Sequence, residues 1–309
     1  MTGARISGIV ALVVASVLWG TTGVTATFLP DDVSPLAIGA ATMGIGGLLL
    51  LLTAPRLSRG VLRDPVARRW LALGAVGVVV YPLAFYSGMD LVGVAVGNVV
   101  ALGSGPVFTA LLEWVGERAR LSGRWLVSTA LAVLGILVLA LGREEGGDAG
   151  ASPALAVLGV GLGLIAGLAY ALYTYASSRA IRGGHPSRGV MGGMFGLGAV
   201  PLLVVLAVLG GPLLHSATSV GLVAYLALGP MFVAYLLFGI GLRSVRSSTA
   251  TTITLLEPVV ATALAVLVVG ERLSVVGWVG FGLVLVGLGV LVTARRAAPP
   301  GPSRLESET

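Results

Sequence analysis

The sequence predicts an all-α integral membrane protein, ten transmembrane helices arranged as two inverted-topology five-helix repeats. Three observations carry this. Of the 309 residues, 56% are hydrophobic and 10% charged, with a mean hydropathy of +1.01, well outside the range of soluble domains. Apolar runs of roughly 20 residues recur along the chain, the length that crosses a ~30 Å hydrocarbon core. The two halves also resemble each other weakly, and an odd number of spans per half obliges the second copy to enter the bilayer from the opposite side.

Spans are expected near residues 6–29, 35–53, 70–89, 91–112, 125–142, 153–178, 189–210, 219–241, 249–269 and 275–293. The charge order of Met1 to Arg5 resembles that of a signal peptide, but the apolar run continues through Trp19 to Leu29, so it reads as an uncleaved first span. Every basic residue is an arginine, and all but Arg143 and Arg272 of the 19 fall on one side of these spans, from Arg5 through the 56–69, 118–124 and 179–188 segments to Arg243, Arg246 and the 295–304 tail. Positive segments stay in the cytoplasm, which places both termini there. The other side carries Asp31, Asp32, Glu144, Glu145 and Asp148. Residues 1–145 are therefore read as the first repeat, 146–152 as a linker, 153–294 as the second repeat and 295–309 as a disordered cytoplasmic tail.

The formal charge of +6 and pI near 10.3 suit an anionic partner, yet no basic face or stacking-aromatic module accompanies them. No nucleic-acid partner is expected. The absence of cysteine excludes disulfides, thiolate nucleophiles and Cys-based metal sites. No metal or cofactor is expected. "GLGLIA" at 161–166 mimics a dinucleotide fingerprint but lies within a span and follows no strand. His185 and His215 fall in loops and are read as solvated.

Sliding the chain by 152 residues lays Pro106 on Pro258, Leu121-Ser122 on Leu273-Ser274, Gly135 on Gly287 and Arg143 on Arg295. A shift of 151 brings Trp19 near Tyr170. Two inverted halves around a central site can open to either face at similar energy, an arrangement that predicts a carrier.

Glu257 is the first candidate residue. Counting ~1.5 Å per residue from Thr249 puts it about 12 Å inside the membrane, near mid-depth, where no other acid, arginine or histidine is expected. An acid there without a basic partner is a candidate for proton coupling, or for pairing with a cationic solute. The structural alternative is a neutral carboxyl donating to a carbonyl left free by Pro258. Its repeat counterpart is Gly105, so proton work is expected from one half only.

Pro106 and Pro258, with Gly105 and Ser104, are expected to line or gate the path, because proline exposes backbone polar groups that must face protein or a wet cavity. Pro82, Pro201 and Pro230 read as structural kinks. Trp19, Thr22, Tyr81, Tyr86, Asn98, Tyr170, Tyr173 and Tyr235 are the pocket candidates, with packing or interfacial anchoring as the alternative for each. Gly159, Gly163 and Gly167 form a small-xxx-small face for close helix packing.

The segments "VLWGTTGV" (17–24), "SGPVFTALLEWVGERARLSGRWLVSTALAVLGILVL" (104–139) and "LLEPVVATALAVLVVGERLSVVGWVGFGLVLVGLGVLV" (255–292) resemble the EamA-like members of the drug/metabolite transporter superfamily. The likeness runs from about residue 6 to residue 293. It implies ten helices in two inverted halves, location in a bacterial plasma membrane, and movement of small metabolites without ATP. Two departures stand out: the GER at 116–118 lies two residues early relative to 270–272, and Thr42-Met43 replaces an arginine-containing pair of many members. The function expected is secondary active transport of an amino acid, amine or drug-like solute by alternating access, in the export direction, either coupled to protons through Glu257 or driven by the solute gradient alone. The other classes weighed are a passive channel and an intramembrane lipid-handling enzyme; the latter lacks a nucleophile–base pair at depth.

Overall fold

The computed structural model describes residues 2–30, 32–92, 94–141, 153–269 and 274–292. Asp31, residues 142–152 with the expected linker and its acids, residues 270–273 and residues 293–309 with the expected tail lie outside the described residues. All the described regular elements are helical: α1 (Thr2–Ala26), α2 (Pro35–Thr53), α3 (Pro55–Arg63), α4 (Pro65–Val92), α5 (Val94–Glu117), α6 (Gly123–Leu141), α7 (Pro153–Arg182), α8 (Ser187–Leu209), α9 (Ala217–Leu226), α10 (Ala234–Gly241), α11 (Ser247–Ile253), α12 (Leu256–Leu264) and α13 (Val275–Val292). Among them, eight candidate membrane spans are long and apolar enough to cross a bilayer, and apolar helices at Gly123–Leu139 and Val275–Leu291 are shorter.

Local chemistry sets many of the boundaries. Proline occupies the first turn of α2 and α3, where its missing N–H costs no hydrogen bond. Ser122 Oγ accepts from Trp125 N at the start of α6, and Ser216 Oγ accepts from Ser219 N at the start of α9. Gly184, at φ 96°, turns the chain after α7, in a region a Cβ would strain.

The structure departs from expectation at four places. The 55–63 stretch, expected as a connection, forms α3, which turns Ser58 and Val61 inward against α8 and leaves Arg56, Arg59 and Arg63 outside. Helix α5 runs on to Glu117, so Glu113 lies within it. The 219–241 span is interrupted by π-helical turns at Ala227–Val233 containing Pro230, which cannot supply a ladder N–H. The 249–269 span divides at Thr254–Leu255, and Pro258 therefore stands in the first turn of α12 rather than kinking a continuous helix. Pro106, in contrast, sits inside the unbroken α5.

The principal packing partners are α1 with α10 and α12, α2 with α8, α4 and α5 with α7, and α6 with α13. Lipid supplies no hydrophobic drive between such helices, so close approach at small residues holds them. At the α6–α13 crossing, a Cβ on Gly280 would stand 2.7 Å from Gly135 O, and one on Gly287 2.8 Å from Ser128 O. Ser128 Oγ also donates to Gly287 O at 2.6 Å. Backbone atoms cannot yield as a side-chain tip can. Gly280→Ala is therefore expected to destabilise the protein by about 1–3 kcal/mol, read as a lowered melting temperature of the detergent-purified chain; an unchanged melting temperature would contradict the close crossing.

Asp64 starts α4, accepting from Val66 N at 2.8 Å and Ala67 N at 3.3 Å, and pairs with His185 Nε2 at 2.9 Å. Those backbone donors, with His185 adding, hold its carboxyl below the ordinary carboxylate value. A depressed acid stabilises the fold above its unfolded-state value, and the contribution disappears as pH falls through the folded-state value. Asp64→Asn should thus melt lower than wild type near neutrality, with the gap narrowing toward acid. A gap that is constant with pH would disprove the linkage.

Candidate functional site

Between the helices lies a cavity of about 60 Å³, lined from α1, α2, α4, α5, α7, α10, α12 and the π-helical turns. That is room for roughly two waters. Among the described residues lining it, Glu257 is the one that is charged, and the aromatic ones are Trp19, Tyr81, Phe85, Tyr86, Tyr170, Tyr173 and Tyr235.

Glu257 reaches this wall because the chain breaks just before it. The hydroxyl of Thr254 donates to Thr251 O at 2.9 Å, and Glu257 N donates to Thr254 O at 2.9 Å, so local groups close the end of α11 and begin α12. Helix α1 can lie directly alongside because Gly20 faces α12; a Cβ there would come within 3.0 Å of Glu257 O. Among the described residues, the Glu257 carboxylate has no hydrogen-bond or ion-pair partner.

The rings interlock through their hydroxyls. Tyr173 and Tyr235 share a hydrogen bond of 2.7 Å, and Tyr170 meets Thr254 Oγ1 at 2.6 Å. Since the Thr254 proton is directed to Thr251 O, Tyr170 is the donor. Ring centroids are 5.0 Å apart for Trp19 and Tyr235, 5.3 Å for Tyr170 and Tyr173, and 5.9 Å for Tyr81 and Tyr173, in tilted or edge-on pairs.

Of the candidates from sequence, Trp19, Thr22, Tyr81, Tyr86, Tyr170, Tyr173, Tyr235 and Glu257 are brought together here. Asn98, Ser104, Gly105, Pro106 and Pro258 do not line the cavity. Gly105 lies under the Tyr170 ring, where a Cβ would be 2.8 Å from Cδ1, and Ser104 Oγ donates back to Ala101 O at 3.3 Å. Gly159 faces Leu91 and Val92 of α4, while Gly163 and Gly167 face Val100, Ala101 and Ser104 of α5.

Lining residues not among those candidates are Thr42, Met43, Pro82, Phe85, Leu102, Pro230 and Met231. Phe85 and Met231 each stand one helical turn from a tyrosine on the list, Tyr81 and Tyr235, a spacing that could have found them. Thr42, singled out from sequence only as a departure from the family pattern, turns its hydroxyl to Ile38 O at 2.7 Å.

A second acid went unrecognised. Glu113 is 1% exposed and accepts from Ser247 Oγ at 2.6 Å, Ser248 N at 3.0 Å and Ser248 Oγ at 2.7 Å. It fastens α5 to the first turn of α11. Nearby, Trp125 Nε1 donates to Ser248 O at 3.3 Å, Thr129 meets Thr252 at 3.0 Å, and Glu117 pairs with Arg179 at 3.3 Å. These contacts tie α5, α6, α7 and α11 together at the arginine-bearing end. At the other end, Thr21 and Tyr225 share a hydrogen bond of 2.7 Å between α1 and α9.

Comparison with known proteins places this geometry in context. The profile of the "EamA-like transporter family" matches residues 6–141 and again residues 157–293. The chain is 32% identical over 289 residues to the uncharacterized transporter YwfM of Bacillus subtilis, covering 92% of this chain and 93% of that one. It is 25% identical over 291 residues to an uncharacterized transporter of Archaeoglobus fulgidus, covering 93% and 99%. A protein of known crystal structure superposes with a TM-score of 0.76 at 22% identity, covering 94% of this chain and 97% of its own, a likeness of fold.

Proposed function

Because the chain belongs to the EamA-like transporter family, we propose that it is a secondary transporter that exports a small amino acid, amine or drug-like solute by alternating access, with proton coupling through Glu257. It is a multi-pass membrane protein that shares its family with bacterial transporters. Ten crossings, two inverted repeats and cytoplasmic termini in the plasma membrane complete the reading.

Two observations support the repeats. The family profile matches the chain twice, once in each half. The packing is also unchanged when the halves are exchanged: numbering the ten apolar segments in order, the first rests on the eighth and ninth and the sixth on the third and fourth, while the second meets the seventh and the fifth meets the tenth. A pseudo-twofold axis produces that pattern, and a central site on such an axis can face either side.

The observation that carries the mechanism is Glu257, an acid that has no partner among the described residues and lines the central cavity. With the cavity this small, a solute enters only if helices separate at one end. The Glu113 cluster closes the arginine-bearing end, and alternating access requires it to part.

Counterflow in proteoliposomes tests the carrier. Trans-stimulated, saturable exchange is expected, whereas unsaturable flux would indicate a channel and product formation an enzyme. Orientation has its own test, made clean by the lack of native cysteine. Exposed Thr218→Cys is expected to label from outside intact cells and exposed Arg120→Cys only after permeabilisation; the reverse would invert the topology.

A further inference from the structure

We propose that the cavity is built to hold a compact organic cation, an ammonium group held by Glu257 and enclosed by the faces of Trp19, Tyr81, Tyr170, Tyr173 and Tyr235. The inference deepens the transporter reading of the same cavity and rests on it.

Charge is the first argument. Of the described residues lining the cavity, Glu257 alone is charged; none of them is Arg, Lys or His. An anionic solute would meet a carboxylate and the negative faces of aromatic rings without the Arg or Lys that usually clamps phosphate or carboxylate groups. A zwitterion would have its ammonium matched and its carboxylate left to hydroxyls. A neutral solute would leave the acid, half-buried and with no partner among the described residues, still unpaired, at a desolvation cost. Only a cation completes what is there.

The rings supply the second argument. Trp19 lies 5.0 Å from Tyr235, Tyr235 lies 6.0 Å from Tyr173, Tyr173 lies 5.3 Å from Tyr170 and Tyr170 lies 6.0 Å from Tyr81, centroid to centroid, forming a continuous aromatic wall. The Tyr173–Tyr235 and Tyr170–Thr254 hydrogen bonds occupy the polar edges of three of these rings. They fix the ring orientations, and the same rings line the cavity. Ring faces bind ammonium groups, most strongly where water is excluded, and Trp is the best of them.

Three probes of nearly one shape separate the possibilities: choline, a fixed cation; glycine betaine, its zwitterionic counterpart; and 3,3-dimethyl-1-butanol, its neutral isostere. Binding to the purified full-length protein is measured by calorimetry, with the melting temperature of each variant as a folding control. Choline is expected to bind at least tenfold more tightly than either other probe. Glu257→Gln should weaken choline at least tenfold while leaving the alcohol unchanged, and Trp19→Leu should weaken choline roughly three- to thirtyfold. Should Trp19→Leu fail to fold, Tyr81→Leu takes its place.

Equal binding of betaine or the alcohol, choline binding indifferent to Glu257→Gln, or no binding of any probe would each overturn the cation assignment. Counterflow of labelled amino acids without choline binding would retain the carrier and discard the cation. Proteoliposomes that exchange nothing from a whole-cell metabolite extract would discard both.

Discussion

Glu257→Gln is expected to abolish solute accumulation driven by a pH gradient while leaving counterflow intact at saturating solute. The amide keeps the shape and volume of the acid but can neither take up nor release a proton. Counterflow needs only that the loaded carrier reorients, whereas accumulation needs a second species to move with each cycle. One proton per cycle sustains up to about tenfold accumulation per pH unit, the ratio equivalent to ~1.4 kcal/mol. In the variant the steady-state ratio should fall to one. The measurement is labelled-solute uptake into proteoliposomes with an imposed pH step, alongside counterflow without one. Unaltered pH dependence would remove Glu257 from the coupling, and loss of both activities at saturation would make it a structural acid, the alternative open from sequence.

Glu113→Ala is expected to unfasten the arginine-bearing end. The carboxylate accepts three hydrogen bonds from Ser247 and Ser248. Its removal leaves the Ser248 amide and two hydroxyls buried against an apolar methyl group. Hydroxyls can turn to nearby carbonyls, but the amide cannot, and hydrogen bonds to charged groups are worth about 1.5–3 kcal/mol each. A loss of about 3 kcal/mol is expected in the conformation closed at that end, seen as a lower melting temperature. The same loss shifts the population toward conformations open there. A Thr22→Cys reporter on the cavity wall should therefore label faster from the arginine-bearing side in the Glu113→Ala background. Lower stability with unchanged labelling would leave Glu113 as packing glue and not a latch.

Much of this molecule was legible before any coordinates. Span positions follow from runs of apolar residues, because a bilayer leaves a helix few other ways to satisfy its backbone. The tryptophan, tyrosines and acid of the cavity were legible because polar-tipped side chains are conspicuous in a chain this apolar, whereas Phe85 has no such tip. Helix α3 was missed because its arginines read as connecting charge, although Ser58 and Val61 keep helical spacing. Glu113 was missed because the expected span stopped at 112; only when α5 continues to Glu117 does the acid enter the packed end.

The sequence by itself determined that the chain is a bundle of membrane helices with a weak internal repeat, since hydropathy and self-similarity are properties of the chain alone. It also singled out Glu257 next to Pro258. Tertiary structure decided which faces meet. Whether Tyr173 and Tyr235 bond and whether Glu113 is satisfied by Ser247 and Ser248 depend on contacts between residues 62 to 135 positions apart, which no local pattern encodes. It also decided that Pro258 starts a helix while Pro106 rides inside one. That difference comes from the Thr251 and Thr254 hydrogen bonds, which close α11 just before the acid and turn it toward the cavity.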